Sequence, residues 1–299
     1  MGMRRHRVAG VFIWFIPVVW AWAQNTGKIE PVEIDPPENA ASYEFPWIMG
    51  ERLEYKIYWG IIPVASNVGS ATWVEWKGKV YVKLQFRTKS GPKLSRIYPV
   101  DDTIFSLVDP DTLLPDYFVM DQHEGRHIRY EQTHFDRIAG EATMVKLHRK
   151  EMPSTTYEIE PDTRDIISLM FFMRGSEFAP HTRYVERVMS DEKLYDLEMH
   201  SKNFEKIKLK NYGEVESLKV VPEAAFDGVF VRKGKMTLWF STDARNLCLK
   251  MVADTPFANV NMKLIDVSGP GEDSWVNQKS ADDESKTSKR KPSLPRHRR

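Results

Sequence analysis

A mainly β fold, in the form of a large curled antiparallel sheet or barrel-like domain with one buried covering helix, is predicted by three observations. Apolar residues recur at every second position through most of the chain, the runs are joined by short turn-forming links, and one segment departs from that rhythm. Leu53, Tyr55, Ile57 and Trp59 fall on one side of a two-residue period, and Val80, Val82, Leu84 and Phe86 repeat it after Lys77-Gly78-Lys79. The pattern continues in stretches 94–107, 117–121, 127–135, 142–148 and 155–159. Beyond the helix it resumes at 184–189, 193–200, 205–210, 214–221, 235–240, 247–253 and 259–267. Glu124-Gly125, Ala139-Gly140, Tyr212-Gly213 and Lys233-Gly234 suit tight antiparallel turns, and such links leave no room for parallel crossovers. About a dozen strands exceed what a flat sheet holds comfortably, so the sheet has to curl.

The exception is the segment after Asp162 and Thr163, either of which can cap a helix. Ile166, Ile167, Leu169, Met170, Phe171 and Met173 cover more than one stripe and predict burial across one mouth of the curl. Asp165 in the first turn and Arg174 in the last complement the helix dipole.

Four regions follow from composition. Residues 1–23 read as a signal peptide: Arg4, Arg5 and Arg7 precede an uncharged run from Val8 to Trp22, and Ala21 and Ala23 form an A-x-A cleavage site. The run is short for a ~30 Å hydrocarbon core and contains Pro17. Residues 24–46, with Pro31, Pro36, Pro37 and Pro46, read as an extended leader. The antiparallel β domain spans 47–267, and 268–299 is a disordered basic tail ending in Arg296, Arg298 and Arg299. Export to the periplasm of a Gram-negative bacterium, or to the outer envelope surface, is the compartment implied.

Without the three signal arginines the chain has 40 basic and 42 acidic residues. A core on the acidic side disfavours nucleic acid, while the tail could approach an anionic membrane surface. Cys248 is the single cysteine, so an intramolecular disulfide and cysteine-built zinc sites are excluded.

The stretches G-E-R-L-E-Y-K-I-Y-W-G at 50–60, Y-P-V-D-D at 98–102, L-L-P at 113–115, E-G-R at 124–126 and L-W-F-S-T-D-A-R at 238–245 resemble the bacterial envelope proteins grouped as domain of unknown function 3108. The resemblance implies an exported, β-rich protein. It supplies no reaction, and no catalytic residues are carried over. The basic tail and Cys248 depart from the family pattern.

Several polar groups are candidates for binding. In R-I-Y-P-V-D-D, Pro99 implies a bend, and adjacent Asp101 and Asp102 point to opposite faces, one at a turn and the other paired with a base such as Arg96 or Arg126. His123-Glu124-Gly125-Arg126-His127 matches the zinc-protease string H-E-x-x-H, but that chemistry needs a helix to bring both imidazoles to one metal. Gly125 and the flanking alternation predict a hairpin instead, and no metal site is expected. His127, Arg129 and Glu131 share one strand face. Outward they are solvated pairs, the expected arrangement for alternating charge; inward they would form a polar wall for an anionic group.

Tyr58 and Trp59 beside Gly60, Tyr98, and Trp239 are the aromatic binding candidates, against a background of core packing. No G-x-S-x-G, dinucleotide fingerprint or phosphate loop occurs, so no cofactor is expected. The leading reading is a non-enzymatic envelope protein that binds or shields a lipid, glycolipid or glycan. Its alternatives are a carbohydrate-active hydrolase or lyase, in which Asp101, His127, Arg129 or Tyr130 would converge, and an envelope assembly scaffold.

Overall fold

The computed structural model describes residues 27–92, 94–147, 153–190, 192–224, 236–254 and 259–270. The expected signal peptide and most of the basic tail lie outside the described residues. The strands in chain order are β1 (Val32–Glu33), β2 (Arg52–Trp59), β3 (Ile62–Trp76), β4 (Lys79–Ser90), β5 (Asp101–Val108), β6 (Pro115–Glu124), β7 (His127–Asp136), β8 (Glu141–Lys146) and β9 (Ser154–Glu158). Then come β10 (Arg164–Asp165), helix α1 (Ile166–Phe172), β11 (Arg183–Ser190), β12 (Lys193–Leu209), β13 (Gly213–Ala224), β14 (Met236–Ser241), β15 (Cys248–Ala253) and β16 (Val260–Ser268).

The strands form one sheet in the order β10 through β16, then β2 through β9, with β1 added beside β3. Every pairing is antiparallel except β10 with β11. Successive hairpins build most of it, while the β16–β2 pairing joins the two ends of the domain. Irregularities at Ile57/Tyr58, Leu107/Val108, Trp239/Phe240 and Leu264/Asp266 bend the sheet on itself. It does not close: β9 and β10 form the two edges, yet only residues 159–163 separate them in the chain. Across that gap Glu192 accepts from Lys146, and Arg129 Nη2 approaches its Oε1 at 3.9 Å.

Parity holds along the strands. Trp73, Val82, Leu84, Val108, Phe118, Phe135 and Met144 form the inner core with Ile167 and Phe171 of α1. Their neighbours Val74, Tyr81, Leu107, Val119 and Tyr130 form an apolar layer on the outer face. The leader is integrated into the fold. Ile29 covers that outer layer and donates its N–H to Tyr130 Oη at 2.8 Å. Tyr43, Phe45 and Trp47 stack in series, and Trp47 meets Phe171 edge-on at 5.8 Å.

Two expectations are corrected. Stretch 94–107 is not one strand: Tyr98 N–H bonds back to Leu94 O at 2.8 Å, and β5 starts only at Asp101, after Pro99. The helix cap is Asp165, not Asp162 or Thr163, because Asp165 Oδ1 takes the N–H groups of Ile167 (2.8 Å) and Ser168 (2.9 Å). The same oxygen accepts from Ser106 Oγ of β5 at 2.6 Å, tying the helix start to the sheet wall. The helix is short, continues as a 3-10 turn over Met173–Gly175, and lies inside the curl against β4, β5 and β11.

Arg174, finally, keeps its expected place in the last turn but is buried there, with its charge committed to Glu51. Its guanidinium grips Glu51 with both terminal nitrogens, Nη2 at 3.1 Å from Oε2, and its Nε donates to Arg245 O at 3.1 Å. Arg245 Nη2 donates to the same Glu51 Oε2. The Glu51 side chain is 0% exposed, and Arg174 and Arg245 are 5% and 8% exposed. A lone charge at that depth would be prohibitive, but a carboxylate shared by two guanidinium forks satisfies most of its hydrogen-bonding capacity.

Two expected outcomes follow for stability. Glu51→Gln leaves two buried cations without a counter-charge and lowers the unfolding free energy by about 3–5 kcal/mol, read from the urea midpoint. Asp165→Ala removes the cap and the Ser106 tie and costs about 1–2 kcal/mol in the same titration.

Candidate functional site

Between α1 and strands β12 to β15 lies an apolar cavity of about 180 Å³, with Leu169, Met170, Met173, Met199, Met236 and Met251 in its wall. Met supplies the lining because its unbranched thioether fills irregular space and can repack around a guest. α1 contributes Leu169 and Met170, and the 3-10 turn after it Met173, since a helix that is apolar nearly all round packs on the sheet and on the cavity at once. A separate small pocket of about 20 Å³ lies between Tyr55, Phe86, Phe171 and Cys248 and shares Met170 and Phe240 with the cavity wall. Burial pushes the Cys248 thiol up to about 12, so it serves as an apolar wall. Arg174 lines this pocket and also a polar cleft of about 470 Å³ that lies over Arg174 and Arg245 between Trp47, Glu177 and Asp243.

The helix residues Ile166, Leu169, Met170 and Met173 line the apolar cavity, but none of the binding candidates chosen from the sequence does. Most of them gather instead at one rim of the curl. Alternate turns of an antiparallel meander lie at the same end, and here they are bonded to one another. Gly60 N–H reaches Asn259 O at 2.8 Å, Gly91 N–H reaches Val64 O at 2.9 Å, and Gly125 N–H reaches Pro99 O at 2.7 Å. Gly125 has φ +60°, and a Cβ there would sit 2.9 Å from the Tyr98 ring, so the turn and the aromatic demand glycine together.

Tyr58 is half-buried and Trp59 exposed at the end of β2. Tyr98 is 45% exposed, and Arg96, Arg126 and His127 are exposed. Asp101 pairs with Arg87 (3.2 Å) and Lys89 (3.4 Å) and not with Arg96 or Arg126, because those two project from the loop and turn while Arg87 and Lys89 flank it across β4. Partial burial raises the Asp101 pKa, but Arg87 and Lys89 outweigh it and hold the carboxyl below its ordinary value. Asp102 points to the opposite face and accepts the His123 N–H at 2.8 Å. Its burial, reinforced by Glu124, overcomes that bond and raises its pKa.

His123 and His127 stand on two strands joined by the Gly125-Arg126 turn, so the H-E-x-x-H string forms no helical metal grip. Among the described residues no three His, Cys, Asp or Glu side chains converge as metal ligands.

His127, Arg129 and Glu131 correct the outward expectation. Phe135, in step with them on β7, belongs to the inner core, and Glu131 is buried on that concave side. Arg129 spends its fork on Glu131, with Nη2–Oε2 at 2.7 Å. Tyr130 faces the other side, its hydroxyl engaged by Ile29. Asp101, Arg129 and Tyr130 therefore do not meet in one cleft. Trp239 lies apart, across β14 from the cavity residue Leu238. Its Nε1 donates to Glu205 Oε2 at 2.8 Å, and Lys250 Nζ lies 4.2 Å from its ring centroid. Sequence reasoning places Met170, Met173 and Arg174 on the helix without a cavity or an ionic cluster, and misses Met199, Met236, Met251, Glu51 and Arg245 altogether. Glu51 and Arg245 stand inside the motifs 50–60 and 238–245, but those motifs also carry Arg52, Glu54, Lys56 and Asp243, so no local signal singles them out.

The solved structures similar to this chain include a β-barrel-like protein of domain of unknown function DUF1849 from Brucella abortus. It is 10% identical, with 74% of this chain and 98% of that one covered and a TM-score of 0.49. A Bacteroides fragilis protein with a YmcC-like fold is 10% identical over 76% of this chain and 99% of its own, with a TM-score of 0.30. No curated protein matches the chain. The family model described as protein of unknown function (DUF3108) matches residues 54–265, a span from β2 to β16 that takes in the inner core, the cavity and the rim. The chain belongs to the DUF3108 family.

Proposed function

We propose that this is an exported, non-enzymatic protein of the bacterial envelope that binds an amphipathic lipid or glycolipid, with the apolar part of the guest held in the methionine-lined cavity. The observation that carries the reading is the cavity itself: about 180 Å³ with no polar surface in its wall. A dry apolar cavity of roughly 150 Å³ is enough to bind a benzene-sized molecule. The space accordingly suits the end of an acyl chain, and the five Met side chains Met170, Met173, Met199, Met236 and Met251 can yield to a longer one. Burial of apolar surface is the driving force, about 25 cal/mol per Å² removed from water.

Among the described residues no helix is long and apolar enough to cross a bilayer. The glycan version draws on the exposed aromatic Trp59 and Tyr98, but a sugar has no use for a wall without polar atoms.

Binding of a fluorescent long-chain fatty acid, below its micelle concentration and without vesicles, is saturable for the wild type. Met199→Trp fills the cavity and weakens it roughly tenfold, the ~1.4 kcal/mol expected from losing about 55 Å² of apolar contact. Absence of saturable binding, or an undiminished affinity in a correctly folded Met199→Trp, rejects the cavity as the site.

A further inference from the structure

Apolar side chains stand out at three bonded turns of the rim. Ile61 is 93% exposed at the β2–β3 turn, with Trp59 and Ile62 beside it; Ile97 is 84% exposed in the β4–β5 loop, next to Tyr98; and Ile128 is 59% exposed just after the β6–β7 turn. Scattered exposed apolar residues are ordinary, but these share one end of the molecule. Interleaved with them are Arg96 and Arg126, both exposed and neither engaged in an ion pair among the described residues. The acids nearby are mostly committed: Asp101 to Arg87 and Lys89, Asp102 to the His123 N–H, with Glu124 turned toward Asp102. Among the described residues, Asp254, Glu192 and Glu223 are further exposed acids at this end, with Glu192 bound by Lys146 and Glu223 3.7 Å from His200 Nε2.

We infer that this rim is a docking surface for an anionic lipid bilayer, entering the interface with Ile61, Ile97 and their neighbours while Arg96 and Arg126 meet lipid phosphates. The geometry favours lipid over a protein partner. The apolar side chains stand on separate convex turns, a form that a soft interface accepts and a complementary protein groove would have to match point by point. Trp and Tyr sit beside the prongs, and amphipathic aromatic rings are suited to headgroup depth. Each arginine near an anionic surface contributes about 1 kcal/mol of attraction.

The cavity approaches the same end. Met236 begins β14, and the register runs from Met236 to Ala253, from Ala253 to Val260 and from Val260 to Trp59. A guest leaving the bilayer would therefore enter close to the docked rim. That passage rests on the cavity reading, whereas docking stands without it.

Full-length protein is sedimented with vesicles of phosphatidylcholine alone and of phosphatidylcholine mixed with phosphatidylglycerol, at low and physiological salt. The wild type partitions to the anionic vesicles. Ile61→Asp with Ile97→Asp lowers that partition at least tenfold, and Arg96→Glu with Arg126→Glu does the same on anionic vesicles. Ile138→Asp, at a fully exposed position on the opposite end, leaves it unchanged. All variants keep the C-terminal tail, so its contribution cancels, and near-ultraviolet circular dichroism checks their folding.

Should the double Asp variant fail to fold, the arginine pair carries the test. Wild-type protein left in the supernatant, or rim variants that sediment like the wild type, overturns the inference. So does a lipid-independent self-association that the rim variants abolish while vesicle binding persists. Failure of fatty acid binding with vesicle partition intact removes the cavity reading alone.

Discussion

Everything in this molecule hangs on one buried carboxylate. Glu51 stands just before β2, Arg174 just after the helix, and Arg245 in the β14–β15 turn, so a single group holds together segments 123 and 194 residues apart. The three meet at the end of the curl opposite the rim. Asn246 Nδ2 strengthens the junction with bonds of 2.9 Å to the Arg174 and Ser176 carbonyls. An ionic knot of this kind adds little net stability compared with a well-packed apolar substitute. What it supplies is a position: the helix end is fixed against the sheet, which leaves the space beside α1 as a cavity in place of collapsed packing.

The second constraint is the open edge. A sheet that stops short of hydrogen-bonded closure exposes unpaired backbone at its first and last strands. Here the edges are a five-residue and a two-residue strand, linked by residues 159–163 and bridged by Glu192. Short edges of this kind offer little template for pairing with another chain. Arg164 reinforces the seam by donating to Leu113 O, its guanidinium lying 3.6 Å from the Phe172 ring centroid. Burial among these groups lowers its pKa to about 10.

The fold class was legible because side-chain parity is local. Alternation at 53–59 and 80–86, with Gly in the turns, is enough to make β2 and β4, and it also disposes of the zinc string at 123–127. The helix was legible as a break in period, but its first residue was not. Asp162, Thr163 and Asp165 are all competent caps, and the choice of Asp165 depends on Ser106, 59 residues away. Arg174 was legible as a residue of the last turn but its partner was not, since dipole complementarity is a local argument and Glu51 is remote. The candidate residues were found one by one from chemistry, and their assembly at a common rim follows from hairpin alternation. The cavity was not legible at all. Five methionines spread from 170 to 251 carry no period, and only the path of the sheet brings them face to face.

The pairing of β16 with β2 sets the order in which the molecule can be completed. These strands stand near opposite ends of the domain, so their contact has the largest loop to close and forms among the last. As the chain emerges from its N-terminal side, β2 pairs with β3 early but keeps its other side bare until the final strand arrives. A polypeptide held outstretched until its last strand is free would meet this requirement without an interval of exposed edge, whereas one folding as it is made would need that edge shielded throughout synthesis.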